Sequence, residues 1–355
     1  MRVAVVGGGP AGMMAAIRAS SRYQVSLFDS NSTLGKKLLL TGNGRCNILN
    51  NKNNHDFIRA CGDKKFKVLY SWFNRCNIET LIKFFENNGV NLIEEKDNRL
   101  YPATNKANSI LNVFLNNLIL SGVKIYYGHK IKDIIYQNDK FILISNDDYF
   151  EFDKVILACG GASYRATGSD GSGFELARRL GHEISPLFSA EVGVVCQDKI
   201  IQNKLLQGVS LKNVEVVFEI GNKKYRDSGD LIFTHYGFSG PLIFKYSNLI
   251  ARCQKGANLI VSDVGDQLPR SWIKFLKDNS LDNRYCFFLN YTLSLDKAFI
   301  TDGGILLNDI DVVTLESKIL KNLYFCGEML DLAAPLGGYN LSIALMSGWI
   351  VGDSI

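Results

Sequence analysis

Arg2-Val3-Ala4-Val5-Val6-Gly7-Gly8-Gly9-Pro10-Ala11-Gly12 decides the fold. A short β-branched run without polar alternation marks a strand buried on both faces. Three glycines follow at once, then residues 13–20, an Ala-rich stretch of helical propensity. Residues 23–28 read as a second strand that ends on Asp29. Strand, glycine turn, helix and a strand closed by a carboxylate make a βαβ dinucleotide-binding unit. Gly7, Gly9 and Gly12 fit G-x-G-x-x-G. The first allows the tight turn, the second lets backbone approach a pyrophosphate, and the third lets the helix pack on the strand. Pro10 and Ala11, inside the turn, are expected cofactor contacts, and the unpaired N–H groups at the positive end of the helix that follows would carry the anion. Asp29, twenty positions beyond Gly9, is placed to accept from a ribose 2′-OH. The plain alternative is a glycine turn with a surface aspartate.

Glycine corners recur far down the chain. Gly160-Gly161 ends a strand at 154–159, and Gly327-Glu328 ends another at 323–326. Gly337-Gly338-Tyr339-Asn340 precedes a closing helix at 341–351. An NAD-dependent dehydrogenase would need a catalytic base or metal site beside the first unit. Repeated corners suit instead a long ligand such as FAD, with Glu328 on a ribityl hydroxyl. The closing helix would aim its positive end at the pyrimidine side of the isoalloxazine and favour the anionic reduced flavin. Alternatively, these glycines merely end strands.

Between the corners, residues 32–51 lack periodicity and read as a long ordered loop, and the Asn-rich patch 50–54 as solvated loop. Helices are expected at 65–73, 78–88 and 106–121, and a strand at 123–127. Runs at 131–136, 141–145 and 149–152, separated by Asn/Asp turn signals, form an antiparallel meander. From 189 to 295 the texture is strand-like with short helical pieces, and 298–306 resumes the βαβ style. The fold class is α/β: a two-dinucleotide-binding-type (Rossmann-like) FAD domain over 1–188 and 297–355, with an inserted β-rich domain at 189–296. The chain's 355 residues suit two or three domains. No second G-x-G-x-x-G follows a strand, so no dedicated nicotinamide domain is visible.

Composition excludes several classes. Hydrophobic residues at 46% against 21% charged are globular, not disordered. A net charge of +5 admits a polyanionic partner without requiring one. Eight cysteines without a Cys-x-x-Cys pair, and no histidine at zinc-finger spacing, argue against a metal site, a disulfide framework and a disulfide-reductase role. Cys159 and Cys326, beside flavin corners, read as small buried apolar residues. Isolated thiols, no apolar run of about eighteen residues and no signal-peptide pattern lead us to expect a soluble cytoplasmic protein without a membrane partner.

Leu38-Leu39-Leu40-Thr41-Gly42-Asn43-Gly44-Arg45-Cys46-Asn47 resembles the G-x-G-R-C-N signature of the BaiN/RdsA (YhiN-like) family of NAD(P)/FAD-dependent oxidoreductases. Further blocks match in the family's order: Arg99–Pro102, 158–164, 167–173, 233–241, 301–304 and 337–340. Two departures are a stretch from 241 to 298 that looks shorter than the family's helical subdomain, and Cys326 where a small residue is usual. The resemblance implies that Asn43, Gly44, Arg45 and Cys46 lie beside the flavin ring and Gly338, Tyr339, Asn340 and Leu341 at its other edge. Lys37 and Ile131 join the expected cofactor contacts. It also implies NAD(P)H-driven reduction of carbon–carbon double bonds. Substrates proposed for the family include a uridine of large-subunit ribosomal RNA, giving dihydrouridine, and unsaturated steroid-like molecules.

An ene reduction needs hydride, a polarised double bond and an acid for the second carbon. Cys46 is a candidate acid, or a small side chain filling a tight turn. His235 is a second candidate, or a structural histidine. Arg45 would neutralise a carbonyl or phosphate, or pair with a nearby carboxylate. The runs Lys64-Lys65-Phe66-Lys67 and Lys223-Lys224-Tyr225-Arg226 would track phosphates and stack on an unpaired base, or are solvated surface. Three functions stay open: a double-bond reductase acting on ribosomal RNA, an oxidase or reductase of a small metabolite, and a flavin-binding RNA-associated module without turnover.

Overall fold

The structure, a computed structural model, describes residues 1–146, 148–262, 270–278 and 284–355. The chain forms two compact units, Met1–Pro186 with Gly303–Ile355, and Leu187–Asp302.

The first unit is built on a five-stranded parallel sheet. Its spatial order is Leu323–Phe325, Lys154–Leu157, Arg2–Val6, Gln24–Asp29, Lys124–Tyr127. Arg2–Val6 is central, and Val3, Ala4 and Val5 are fully buried, which is why its sequence shows no alternation. Because all five strands run the same way, their carboxyl ends share one edge. Gly7, Asp29, Gly160 and Gly327 each follow or close one of these strands and therefore gather there.

Helix Pro10–Ala19 packs against the terminal helix Tyr339–Ser354. A Cβ at Gly348 would run into the Ala11 carbonyl oxygen, and one at Gly352 would lie 2.8 Å from the Ala15 carbonyl oxygen. These two glycines let the backbones touch. Arg18 spans the same crossing, 4.1 Å over the Trp349 ring and 2.8 Å from Asp353.

Residues 32–51 differ from the expected irregular loop. They hold a short helix Lys36–Leu40, a 3₁₀ turn Thr41–Gly44 and a two-residue strand Leu49–Asn50. That strand starts an antiparallel sheet with Arg99–Pro102 and Leu92–Glu95. Helix Asn54–Cys61 replaces part of the expected solvated loop, because the Asn53 side chain accepts the Asp56 N–H at 2.9 Å and caps it. The meander Asp133–Gln137, Lys140–Ser145, Asp148–Phe152 forms where turn signals placed it.

The second unit is a closed six-stranded barrel. Strands Val194–Cys196, Gly237–Ser239, Lys223–Phe233, Ser210–Ile220, Ala257–Ser262 and Arg284–Thr292 follow in order, and the last pairs with the first. Alternate residues, such as Val216, Phe218 and Ile220, fill its core, and helix Pro241–Cys253 adds Leu242, Ile243, Tyr246 and Ile250. Residues 298–306 do not resume the parallel sheet: Ile300–Asp302 pairs antiparallel with Phe188–Ala190 in this unit. Of the stretch read as shortened, 263–269 and 279–283 lie outside the described residues. No helix among the described residues is long and apolar enough to cross a membrane.

Candidate functional site

The three signature glycines do three separable jobs. Gly7 has φ +107°, a conformation that disfavours any side chain. A Cβ at Gly12 would strike the Gly7 carbonyl oxygen, so helix and strand can meet only at a glycine. At Gly9 the backbone is ordinary extended chain (φ −78°, ψ 179°), and an added Cβ would meet no atom within 4 Å. Neither conformation nor packing within the chain requires glycine at position 9. Helix Pro10–Ala19 begins there without a side-chain cap, so its first N–H groups suit an anion.

Asp29 organises this turn. Its Oδ2 accepts the Gly8 N–H at 2.7 Å, and its Oδ1 accepts the Asn31 backbone and side-chain N–H groups at 2.8 and 2.9 Å. A carboxylate has about four acceptor positions, so room is left for a hydroxyl.

Gly160 and Gly327 both take left-handed conformations, φ +77° and +73°. Beside them Lys37, Ser163 and Glu328 close a triangle. Lys37 Nζ donates to Ser163 Oγ at 2.7 Å and to Glu328 Oε2 at 2.8 Å, while Ser163 Oγ donates to Glu328 Oε1 at 3.2 Å. Gly161 continues the same turn, and Ile131 is buried at the start of the meander. Gly338, φ +91°, caps helix Tyr339–Ser354 without a side-chain bond, leaving that helix's positive end open. Leu341 lies in its first turn. Tyr339 is packed on Phe57 at 4.7 Å, and the Asn340 amide is spent on Ala334, accepting its N–H at 2.8 Å and donating to its carbonyl at 2.6 Å.

The G-R-C-N loop is strained. Gly42, Asn43, Gly44 and Cys46 all have positive φ (56°, 54°, 85° and 64°), and non-glycine residues held so cost about 1–3 kcal/mol each. Asn43 and Gly44 are exposed, whereas Cys46 is fully buried inside the turn, where its N–H donates to Thr41 O at 2.9 Å. Burial pushes the Cys46 thiol up to about 12. Sealed from solvent, it fits the second of its two readings, a small side chain filling a tight turn. Arg45 takes the carboxylate pairing among its two readings: its guanidinium pairs with Glu95, bonds Asn105 and lies 4.3 Å over the Tyr101 ring.

His235 belongs to the barrel unit, exposed on the turn between Lys223–Phe233 and Gly237–Ser239, its ring 5.0 Å from that of Tyr236. Neither basic run presents a fully exposed aromatic. Phe66 is buried in the core while Lys65 pairs with Asp331 at 2.7 Å; Tyr225 is half-buried against Tyr246 and Lys224 pairs with Glu219 at 2.6 Å. All eight cysteines are free thiols, and burial raises both Cys159 and Cys326. No cluster of metal-binding side chains occurs among the described residues.

Sequence reasoning missed the residues that join these segments. Asn50 Nδ2 donates to Gly337 O at 2.8 Å, and the Gly327 N–H donates to Ser347 Oγ at 2.9 Å. With its amide turned to satisfy both ends, Asn47 accepts the Gly338 N–H at 3.0 Å. Asn47 and Ser163 sit inside quoted motif blocks, a signal that was legible; Asn50 and Ser347 carry none.

Three glycine corners on one sheet edge, a turn open at Gly9 and two uncapped helix starts define a flavin-binding oxidoreductase of the Rossmann type. The chain belongs to the HI0933-like protein Rossmann domain family, whose pattern matches residues 1–354. The family resemblance read from the motif blocks is thereby borne out. The chain is 28% identical to a 3-dehydro-bile acid delta(4,6)-reductase of Clostridium scindens, covering 99% of this chain and 98% of that protein. It is 24% identical to a ribosomal RNA dihydrouridine synthase of Haemophilus influenzae, covering 99% and 97%. Among solved structures, 3-ketosteroid delta1-dehydrogenase from Sterolibacterium denitrificans shares the fold, with a TM-score of 0.60 at 12% identity over 99% of this chain and 98% of that one.

Proposed function

We propose that this chain binds FAD along the carboxyl edge of its parallel sheet and uses NAD(P)H to reduce a carbon–carbon double bond conjugated with a carbonyl. The observation that carries this is the open backbone at Gly9, on the same edge as Asp29, Gly160 and Glu328. Gly9 and the first N–H groups of helix Pro10–Ala19 would hold the pyrophosphate, and Asp29 the adenosine ribose. Glu328 would take a ribityl hydroxyl, and the open start of helix Tyr339–Ser354 would favour negative charge at the pyrimidine edge. The bound flavin supplies hydride chemistry.

The substrate we put first is a uridine of large-subunit ribosomal RNA. Uracil's double bond is conjugated with a carbonyl, and a relative bears the name of that activity. A small unsaturated ketone is the second reading, favoured by the inward-facing Phe66, which removes one expected stacking platform, and by the bile-acid reductase relative. Purified protein should be yellow, release FAD on denaturation, and bleach anaerobically with NADH or NADPH; a protein that binds FAD yet never bleaches would be a non-catalytic module. Mass spectrometry of ribosomal RNA from cells lacking the gene decides the substrate. Loss of one dihydrouridine, restored by the gene, supports the RNA; an unchanged RNA removes it.

A further inference from the structure

Ser169 lies in the loop between strand Lys154–Leu157 and helix Ser172–Arg179, at the carboxyl edge of the parallel sheet. The residue is only 6% exposed, and its Oγ has no hydrogen-bond partner among the described residues. A serine hydroxyl usually bonds a carbonyl a few positions back or a neighbouring side chain. One that is buried without a partner costs stability, so its presence asks for a reason.

The loop is pinned on both sides of this residue. Asn31 Nδ2, which also bonds Asp29, donates to Thr167 O at 3.0 Å. The Gly171 N–H donates to Gly161 O at 3.0 Å. Between them Asp170 accepts from Lys130 Nζ at 2.6 Å and from the Ser172 N–H at 3.0 Å. One end is thus tied to the Asp29 corner and the other to the Gly160–Gly161 corner. Ser169 Oγ rests against Gly160, 3.0 Å from where a Cβ on that glycine would stand. A loop so held does not swing the hydroxyl out to solvent. We propose that Ser169 is a further cofactor-binding residue, its hydroxyl hydrogen-bonding FAD on the stretch of edge between Asp29 and Gly160. The proposal rests on the flavin site proposed above: a cofactor lying along that edge supplies the partner that the chain itself does not.

Ser169→Ala in the full chain tests it, because the two states of the protein should respond with opposite sign. The apoprotein loses a buried hydroxyl that bonds nothing in the chain, so its urea midpoint should stay equal or rise. The holoprotein loses one hydrogen bond to the cofactor, so FAD affinity, read by flavin fluorescence, should fall roughly three- to tenfold. A change in affinity of less than about twofold would overturn the proposal, leaving the hydroxyl with no role at the cofactor. A lower apoprotein midpoint, or a variant that fails to fold, would overturn it too, since the hydroxyl would then be satisfied inside the protein. Wild-type protein that refuses FAD refutes the flavin site itself, so the two failures are distinguishable.

Discussion

Gly9→Ala and Gly12→Ala, three positions apart in one motif, should fail in opposite ways. At Gly9 the dihedrals suit any residue and the new methyl meets nothing within 4 Å. Removing a glycine from the unfolded chain stabilises by about 0.4–1 kcal/mol, and placing alanine at a helix N-cap costs about as much. The apoprotein should therefore keep its stability to within about 0.5 kcal/mol. A pyrophosphate oxygen must come to about 2.9 Å from backbone N–H groups at this turn, and the methyl takes that space. Overpacking of this size costs about 1–3 kcal/mol, a loss of roughly 5- to 150-fold in FAD affinity. At Gly12 the methyl strikes a backbone carbonyl oxygen that cannot retreat without moving the central strand. That should cost about 3 kcal/mol or more of folding stability before any ligand is added. Urea melts of the apoproteins give the first quantity and fluorescence titration with FAD the second. Wild-type FAD affinity in Gly9→Ala would refute the placement of the pyrophosphate, whatever Gly12→Ala does.

The same crowding argument applies to the terminal helix. Gly348→Leu should destabilise by about 3 kcal/mol or more, because its Cβ meets the Ala11 carbonyl oxygen; a melting temperature equal to wild type would contradict it. Cys46→Ala should leave anaerobic flavin reduction and turnover within about threefold of wild type, since the thiol only fills the turn. A hundredfold loss with FAD still bound would reinstate it as the acid. Burial raises Cys46, Cys61, Cys76 and Cys159 to about 12, above the unfolded-chain value near 8.5. Their contribution to stability is therefore whole below about pH 8.5 and is lost as pH rises toward 12, at about 1.4 kcal/mol per thiol per pH unit in between. Urea midpoints in reducing buffer should fall between pH 8.5 and 10, and an equal midpoint at both would count against buried neutral thiols.

What was legible in the sequence was whatever a single element declares by itself. The unalternating run Val3–Val6 announces a two-sided burial, and three spaced glycines announce the turn, because each follows from local sterics. The meander was legible because Asn138-Asp139 and the Asn146 corner are turn signals in their own right. Illegible features depend on a distant partner. Phe66 sits among lysines and looks like exposed decoration, but tertiary packing draws it into the core. Residues 300–302 look like a parallel strand, and only the presence of Phe188–Ala190 makes them an antiparallel ribbon. Arg45 sits inside the most specific motif in the chain, yet Glu95, fifty positions away, decides what its charge does.

The strained G-R-C-N loop shows why the two most specific blocks, Gly44–Asn47 and Gly337–Asn340, form one structural object. Four left-handed residues within five positions cannot persist on local energetics; at about 1–3 kcal/mol for each non-glycine member, the turn would relax. What holds it lies across the sheet Leu49–Asn50, Arg99–Pro102 and the start of the terminal helix. Asn50 ties the main chain at Asp97 to that at Gly337 through one amide, at 3.1 and 2.8 Å, and Ser342 Oγ accepts the Asn50 N–H at 3.3 Å. A Cβ at Gly338 would press on the Leu49 carbonyl oxygen, so the approach exists only because that position is glycine. Loop strain is thus maintained by buried hydrogen bonds to the very turn that opens the positive end of helix Tyr339–Ser354. Exposed Asn43 and Gly44 and the uncapped helix start are consequently fixed relative to each other before any ligand arrives, which is the preorganisation a planar ring held between them would require.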